Sequence, residues 1–293
     1  MLIKTKKHFI LWLTIALIFL TVLIITAVVV ISYSNNFGKI KNYIALTKQL
    51  KDIDEAKLAE YNPPNQQSVN VKHYLLKINL FPKKKIITGD VTITMRLSSD
   101  QVRNIDVNFY NNLEITNLEV NGIKPGYKRE EKIISIEKPK NLGDSVDIRI
   151  VYSGTPESLG FGSFNFGEEG GLPYVYTLSE PIYASTWFPC VDLPDDKALA
   201  DIYITNDSSD VSVSNGKLIS VETVKDKRTY HWKTFYPIST YLIAIYSAPY
   251  KSYKEKYISI TKDTLNLSFY ALPSEFEKAQ RDFSEHKEYL RAF

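Results

Sequence analysis

Few residues in this 293-residue chain have the types and spacing to do chemistry. The four histidines are His8, His73, His231 and His286. No two of them stand i, i+4 around a glutamate base, so the helical zinc motif is absent. His286 reads as a solvated helix residue. His231, between Tyr230 and Trp232, reads as a sheet-surface residue. Cys190 is the only cysteine, which excludes an internal disulfide and a Cys-rich zinc site. With no base nearby in sequence it reads as buried and inert. The loop "GSFNFGEEGG" at 162–171 lacks the Lys-Ser/Thr ending of a phosphate cradle. Asp192, Asp195 and Asp196 match no standard calcium loop. They read instead as an Asp/Pro turn around Pro194, with Lys197 as the counter-charge. No catalytic residue and no metal ligand set is therefore expected here, and Glu180 by itself reads as an ordinary strand-end carboxylate.

The elements that must position these groups are mostly strands. Tyr74, Leu76, Ile78 and Leu80 alternate with polar neighbours, as do Val91, Ile93, Met95 and Leu97. Ile105, Val107 and Phe109 repeat the pattern, and so do Val146, Ile148, Ile150 and Tyr152. Period-2 alternation marks strands with one face on a core. Turn signals separate them at "TGD" (88–90), "NG" (121–122) and "SNG" (214–216). The spacing predicts about a dozen short strands and a mainly β fold, an antiparallel saddle or sandwich over 69–273. Residues 274–293 read as one helix, with Ser274 as N-cap and Glu277 completing a capping box.

The N-terminal region differs in composition. Phe9–Ser32 is 24 residues without a charge. As a helix it would reach about 36 Å, enough for a hydrocarbon core of about 30 Å. A cleaved signal peptide has a shorter apolar region and a small-residue cleavage site, which favours a retained anchor at 9–32 in the lipid bilayer. Lys4, Lys6 and Lys7 place the tail 1–8 in the cytoplasm by a narrow margin over Lys39 and Lys41, and the β-domain on the other side. Residues 33–68 read as an amphipathic stalk helix ending in the "NPPNQQ" linker. The net charge of +3, without a basic stripe interleaved with aromatics, argues against nucleic-acid binding.

One stretch is too particular for an ordinary connection: "YTLSEPIYASTWFPCVDLPDDKA", Tyr176–Ala198. With "VSNGKLIS" (213–220), "YHWKTFYPISTYLIAIYSAPY" (230–250) and the opening "VKHYLLKINLFPKKKIITGDVTITMRL" (71–97), it resembles the N-terminal domain of the aminopeptidase N family of zinc aminopeptidases (peptidase family M1). The resemblance covers about residues 69–293. It implies that Glu180 lies at the edge of a cleft and helps hold the free amino group of a peptide. It implies a packing role for Trp187, Phe188, Pro189 and Cys190, within a motif completed by Asp192, Pro194, Asp196 and Lys197. The family's arginine after Ala184 is Ser185 here. The family's Gly-Ala-Met-Glu-Asn motif and zinc helix follow the region matched, so the resemblance implies zinc in the full-length protein and no cofactor on this chain.

Two readings remain open at this stage. One is the anchored N-terminal part of a zinc aminopeptidase, whose substrates are peptide N-termini. The other is a complete, non-catalytic membrane-tethered β-domain that binds a peptide or a protein partner.

Overall fold

Alternating strands of β-branched and aromatic residues build this fold, and their order along the sheets decides which loops meet. The computed structural model describes residues 64–98, 102–160 and 162–292, within one compact unit, Tyr61–Phe293. The expected tail 1–8, the anchor 9–32 and the stalk up to residue 63 lie outside the described residues. Among the described residues no helix is long and apolar enough to cross a membrane.

The largest sheet contains β1 (Val69–Phe81), β2 (Ile86–Leu97), β4 (Leu113–Val120), β7 (Ser145–Gly154), β10 (Leu199–Asp207), β12 (Lys217–Val224) and β13 (Lys227–Lys233). Its order is β12-β13-β10-β1-β2-β7-β4. The pair β1–β10 is parallel, His73 lying opposite Leu199, while the other pairs of this sheet are antiparallel. The expected antiparallel sheet is thus mixed. A parallel neighbour needs a long crossover, and the residues between Phe81 and Leu199 supply it.

That crossover holds the whole of one smaller sheet and two strands of another. Three strands, β3 (Asn104–Asn108), β5 (Tyr127–Arg129) and β6 (Ile133–Glu137), pair in the order β3-β6-β5. Four others, β8 (Phe164–Glu169), β9 (Leu172–Thr177), β11 (Val211–Ser214) and β14 (Ile245–Ala248), pair as β11-β14-β9-β8. A ribbon of β15 (Lys251–Ile258) and β16 (Thr264–Ala271) follows.

Alternation places the core as expected: Tyr74, Leu76, Ile78, Val91, Ile93, Met95, Ile148 and Ile150 are buried together with Trp187 and Phe188. In β3 the alternation fails, because Asp106 and Asn108 are buried as well. The linker residues cover them. Gln66 Nε2 donates to Asn108 Oδ1 at 2.6 Å, and Asn65 Nδ2 donates to Asp106 Oδ2 at 2.9 Å. The end of "NPPNQQ" is therefore stitched to the domain.

The C-terminal segment also departs from expectation. It forms two short helices, α1 (Phe276–Asp282) and α2 (His286–Ala292), separated by a turn. Ser274 caps neither helix: it sits in a 3-10 turn, Pro273–Glu275, and donates its hydroxyl to Glu169 Oε1 at 2.6 Å. Pro273 fixes that tighter first turn, and the cap position of α1 falls on Glu275 without a side-chain hydrogen bond.

Candidate functional site

The loop from Leu178 to Ala198 connects β9 of the four-stranded sheet to β10 of the large one, so it crosses the space between two sheets. It contains little regular structure beyond a 3-10 turn, Ala184–Thr186, and its polar backbone must find partners elsewhere. Buried side chains supply them. Tyr74 OH accepts from the Val191 amide at 3.1 Å, and Tyr152 OH donates to the Trp187 carbonyl at 2.6 Å. Asn108 exchanges backbone bonds with Cys190, and its Oδ1 accepts from the Asp192 amide at 3.0 Å.

Asp192 is the centre of this arrangement. Its Oδ2 accepts the Ser185 amide at 3.1 Å and the Ser185 hydroxyl at 2.9 Å, while Oδ1 accepts the Thr240 hydroxyl at 2.9 Å. Burial pushes its carboxyl above the usual range, and the bonds from Ser185, Thr240 and Ala184 pull it back. Asp196 accepts the Val71 amide with both oxygens at 3.3 Å, and its carboxyl is raised to about 6, chiefly by burial. Lys197 is exposed and makes no ion pair among the described residues, so it is not the counter-charge expected of it. Amides and hydroxyls hold Asp192 because it is buried, where an ammonium would be costly to desolvate, while Asp196 is half-buried. Asp195 and Pro194 are exposed in the turn, and the Ser239 hydroxyl donates to the Pro194 carbonyl.

Trp187, Phe188, Pro189 and Cys190 are all buried. Trp187 and Phe188 meet edge to face at 4.4 Å, and Phe188 meets Tyr74 at 5.8 Å. Trp187 Nε1 donates to the Ser179 hydroxyl at 3.1 Å, which fastens the residue just before Glu180. Burial raises the Cys190 thiol, with Asp192 and Asp196 adding to the effect, so it carries no thiolate at neutral pH.

Glu180 itself is exposed, in a turn with a cis bond to Pro181. Beside it along β9, the open face of the four-stranded sheet shows Tyr174 and Tyr176, stacked at 6.2 Å, with Tyr246 opposite Tyr176. Tyr250 borders them; its hydroxyl is pushed up to about 12 by burial, with Tyr246 and Tyr174 contributing. The sequence reading missed this tyrosine face, although Tyr174 and Tyr176 alternate with the buried Val175 and Thr177. It also missed Asn108, Thr240 and Tyr74 as supports of the loop, since pairing over such separations leaves no local pattern. Among the described residues, two surface grooves stand out. One, of about 800 Å³, includes Trp232, Lys217, Lys254 and Lys256; the other, of about 160 Å³, includes Phe81, Lys83 and Asp207. Glu180 lines neither. Among the described residues no group of His, Cys, Asp or Glu could hold a metal ion.

A second polar cluster lies on the large sheet. Asp201 receives His231 Nε2 at 2.6 Å, His73 Nε2 at 2.8 Å and Lys233 Nζ at 3.2 Å. Tyr203 stacks on His231 at 4.0 Å. His231 is accordingly a sheet-face residue bound to a carboxylate.

Residues 70–242 match the family described as Peptidase M1 N-terminal domain. Leucine aminopeptidase 2 of Vanderwaltozyma polyspora is 26% identical over 196 residues, 62% of this chain and 29% of that protein. Glutamyl aminopeptidase of Bitis rhinoceros is 28% identical over 248 residues, 78% of this chain and 25% of that protein. The chain thus spans less than a third of the length of these curated relatives. In fold it is similar to the M1 zinc metallopeptidase from Deinococcus radiodurans, with TM-score 0.62 and 22% identity over 73% of this chain and 51% of the other. It is also similar to yeast LTA4 hydrolase, with TM-score 0.64 and 22% identity over 77% and 35%.

Proposed function

The chain belongs to the M1 peptidase family through its N-terminal domain, and from that premise we propose that it forms one wall of an aminopeptidase substrate cleft, tethered to a membrane and facing away from the cytoplasm. The observation that carries this reading is the exposed Glu180, mounted on a loop whose underside is fixed by Trp187 and Asp192 and flanked by an open tyrosine face. An exopeptidase must count from the N-terminus. A carboxylate that meets the substrate ammonium provides that count, and aromatic faces hold the following side chains. The uncharged segment at 9–32 supports the tether.

In enzymes of this kind zinc polarises the scissile carbonyl and activates water. The described residues do not fit a zinc ion, so no step of the hydrolysis is assigned to them. The contribution of this chain is binding and orientation.

The test uses the whole chain in detergent, with a short peptide carrying a free amine and its N-acetylated counterpart. The free amine binds; acetylation or Glu180→Gln each weakens binding about tenfold, the loss of one charge-assisted hydrogen bond. Equal binding of both peptides, or an unchanged Glu180→Gln variant, overturns the role of Glu180. With zinc added the 293-residue chain releases no N-terminal residues, and measurable zinc-dependent release overturns the assignment of binding alone.

A further inference from the structure

The two edges of the seven-stranded sheet are treated differently. Both edge strands carry a bulge, between Ile115 and Asn117 in β4 and between Leu218 and Ser220 in β12, but the β4 strand is half buried. At the other edge all eight residues of β12, "KLISVETV", are exposed. Leu218, Ile219, Val221 and Val224 are 37%, 46%, 47% and 60% exposed. An exposed apolar edge of this length, without proline, presents unpaired amides and carbonyls to any strand that can add to it.

We propose that β12 is a self-association edge, on which a second copy of this chain pairs antiparallel about a twofold axis at Val221. Charge and shape on the strand favour a copy of itself. The pairing with β13 puts Leu218 and Val221 on the face of Trp232 and Tyr230, and Lys217, Ser220 and Glu222 on the face of Lys233, His231 and Thr229. Ile219 is the extra residue of a bulge. A twofold operation keeps each face with itself, so the register must centre on a residue. Centred on Val221, with the bulge counted as one position, Val221 meets the partner's Val221 and Leu218 meets the partner's Thr223. On the other face Lys217 lies diagonal to the partner's Glu222, and the operation makes that ion pair twice. The partner's turn Lys225–Asp226 then lies toward the groove of about 800 Å³ beyond Lys217, which Lys254, Glu255 and Lys256 line. Along the paired strands no like charges stand directly opposite each other.

The chain offers a clean test, because Cys190 is fully buried and any introduced thiol is the only accessible one. Val221→Cys and Val224→Cys are made in the full chain, in detergent, and exposed to a mild oxidant. In this register Val221→Cys forms a disulfide-linked dimer about tenfold faster than Val224→Cys, which opposes Lys217 and lies outside bonding distance. Val224 is the more exposed of the two, so random collision would give the reverse order. Dimerisation through any other part of the chain would not separate the two thiols. Lys217→Glu slows the Val221→Cys cross-link, and adding Glu222→Lys restores it. Equal or reversed rates, or no rescue by the charge swap, overturn the proposal. Both substituted valines are exposed, and an unchanged circular dichroism spectrum shows that the variants fold.

Discussion

Ser185 donates both its backbone N–H and its hydroxyl to one oxygen of Asp192, at 3.1 and 2.9 Å, and so ties the start of the crossing loop to its end. This relationship replaces a cation with two short neutral donors. It accounts for how a buried carboxylate is tolerated where, among the described residues, no lysine or arginine pairs with it.

Removing that acceptor strands its donors. Asp192→Ala leaves Ser185 and Thr240 unsatisfied in the core and lowers stability by about 3 kcal/mol, while Asp192→Asn, which keeps one acceptor, costs about half as much. Chemical denaturation of both variants measures this. An Asp192→Ala variant as stable as the parent would exclude the staple role.

Two of the perturbed carboxylates, Asp196 and Asp201, act in opposite directions with pH. Asp196 is raised to about 6, so the folded chain holds its proton more tightly than the unfolded chain. Its contribution therefore falls as pH rises from about 4, the ordinary carboxylate value, to about 6, and then levels off. For Asp201, burial favours the neutral form, but hydrogen bonds from His231, His73 and Lys233 outweigh it and hold the carboxyl below the usual range. Its contribution is present above about 4 and is lost as pH falls through the lowered value. Asp196→Asn flattens the slope between those limits, and Asp201→Asn flattens the acid limb. Denaturation midpoints measured across the pH range read both effects.

Gly216 opens β12 with φ +85°, and an added Cβ would lie 2.0 Å from the Lys233 carbonyl oxygen. Backbone cannot yield as a side-chain tip can, so Gly216→Ala costs about 2 kcal/mol or more. Gly170 has φ +57° but open space around it, and Gly170→Ala costs about 1 kcal/mol. Thermal melts of the two variants rank them, and a smaller loss at Gly216 would contradict the close approach.

Ser274 is a surface partner of Glu169 and does not cap a helix. Ser274→Ala changes stability by no more than about 0.5 kcal/mol and leaves the helical circular dichroism unchanged, whereas loss of a true cap costs about 1 kcal/mol.

The sequence by itself determined the strands of the core. Tyr74, Leu76, Ile78, Val91, Ile93 and Ile148 had to face inward, because a period of two lets apolar residues share one face whatever the sheet order. It also determined the family, through the motif of residues 176–198 and the stretches in register with it. Tertiary structure alone decided that β1 and β10 run parallel, that Asn108 and Thr240 reach the loop, and that amides and hydroxyls satisfy Asp192 in place of Lys197. Among the described residues it also left β12 at a sheet edge, and it gathered three tyrosines from two strands onto one face. The reason is physical. Local patterns report what each residue needs, burial or a partner, while the partner it receives depends on strand order, and strand order is set by the packing of segments distant in the chain.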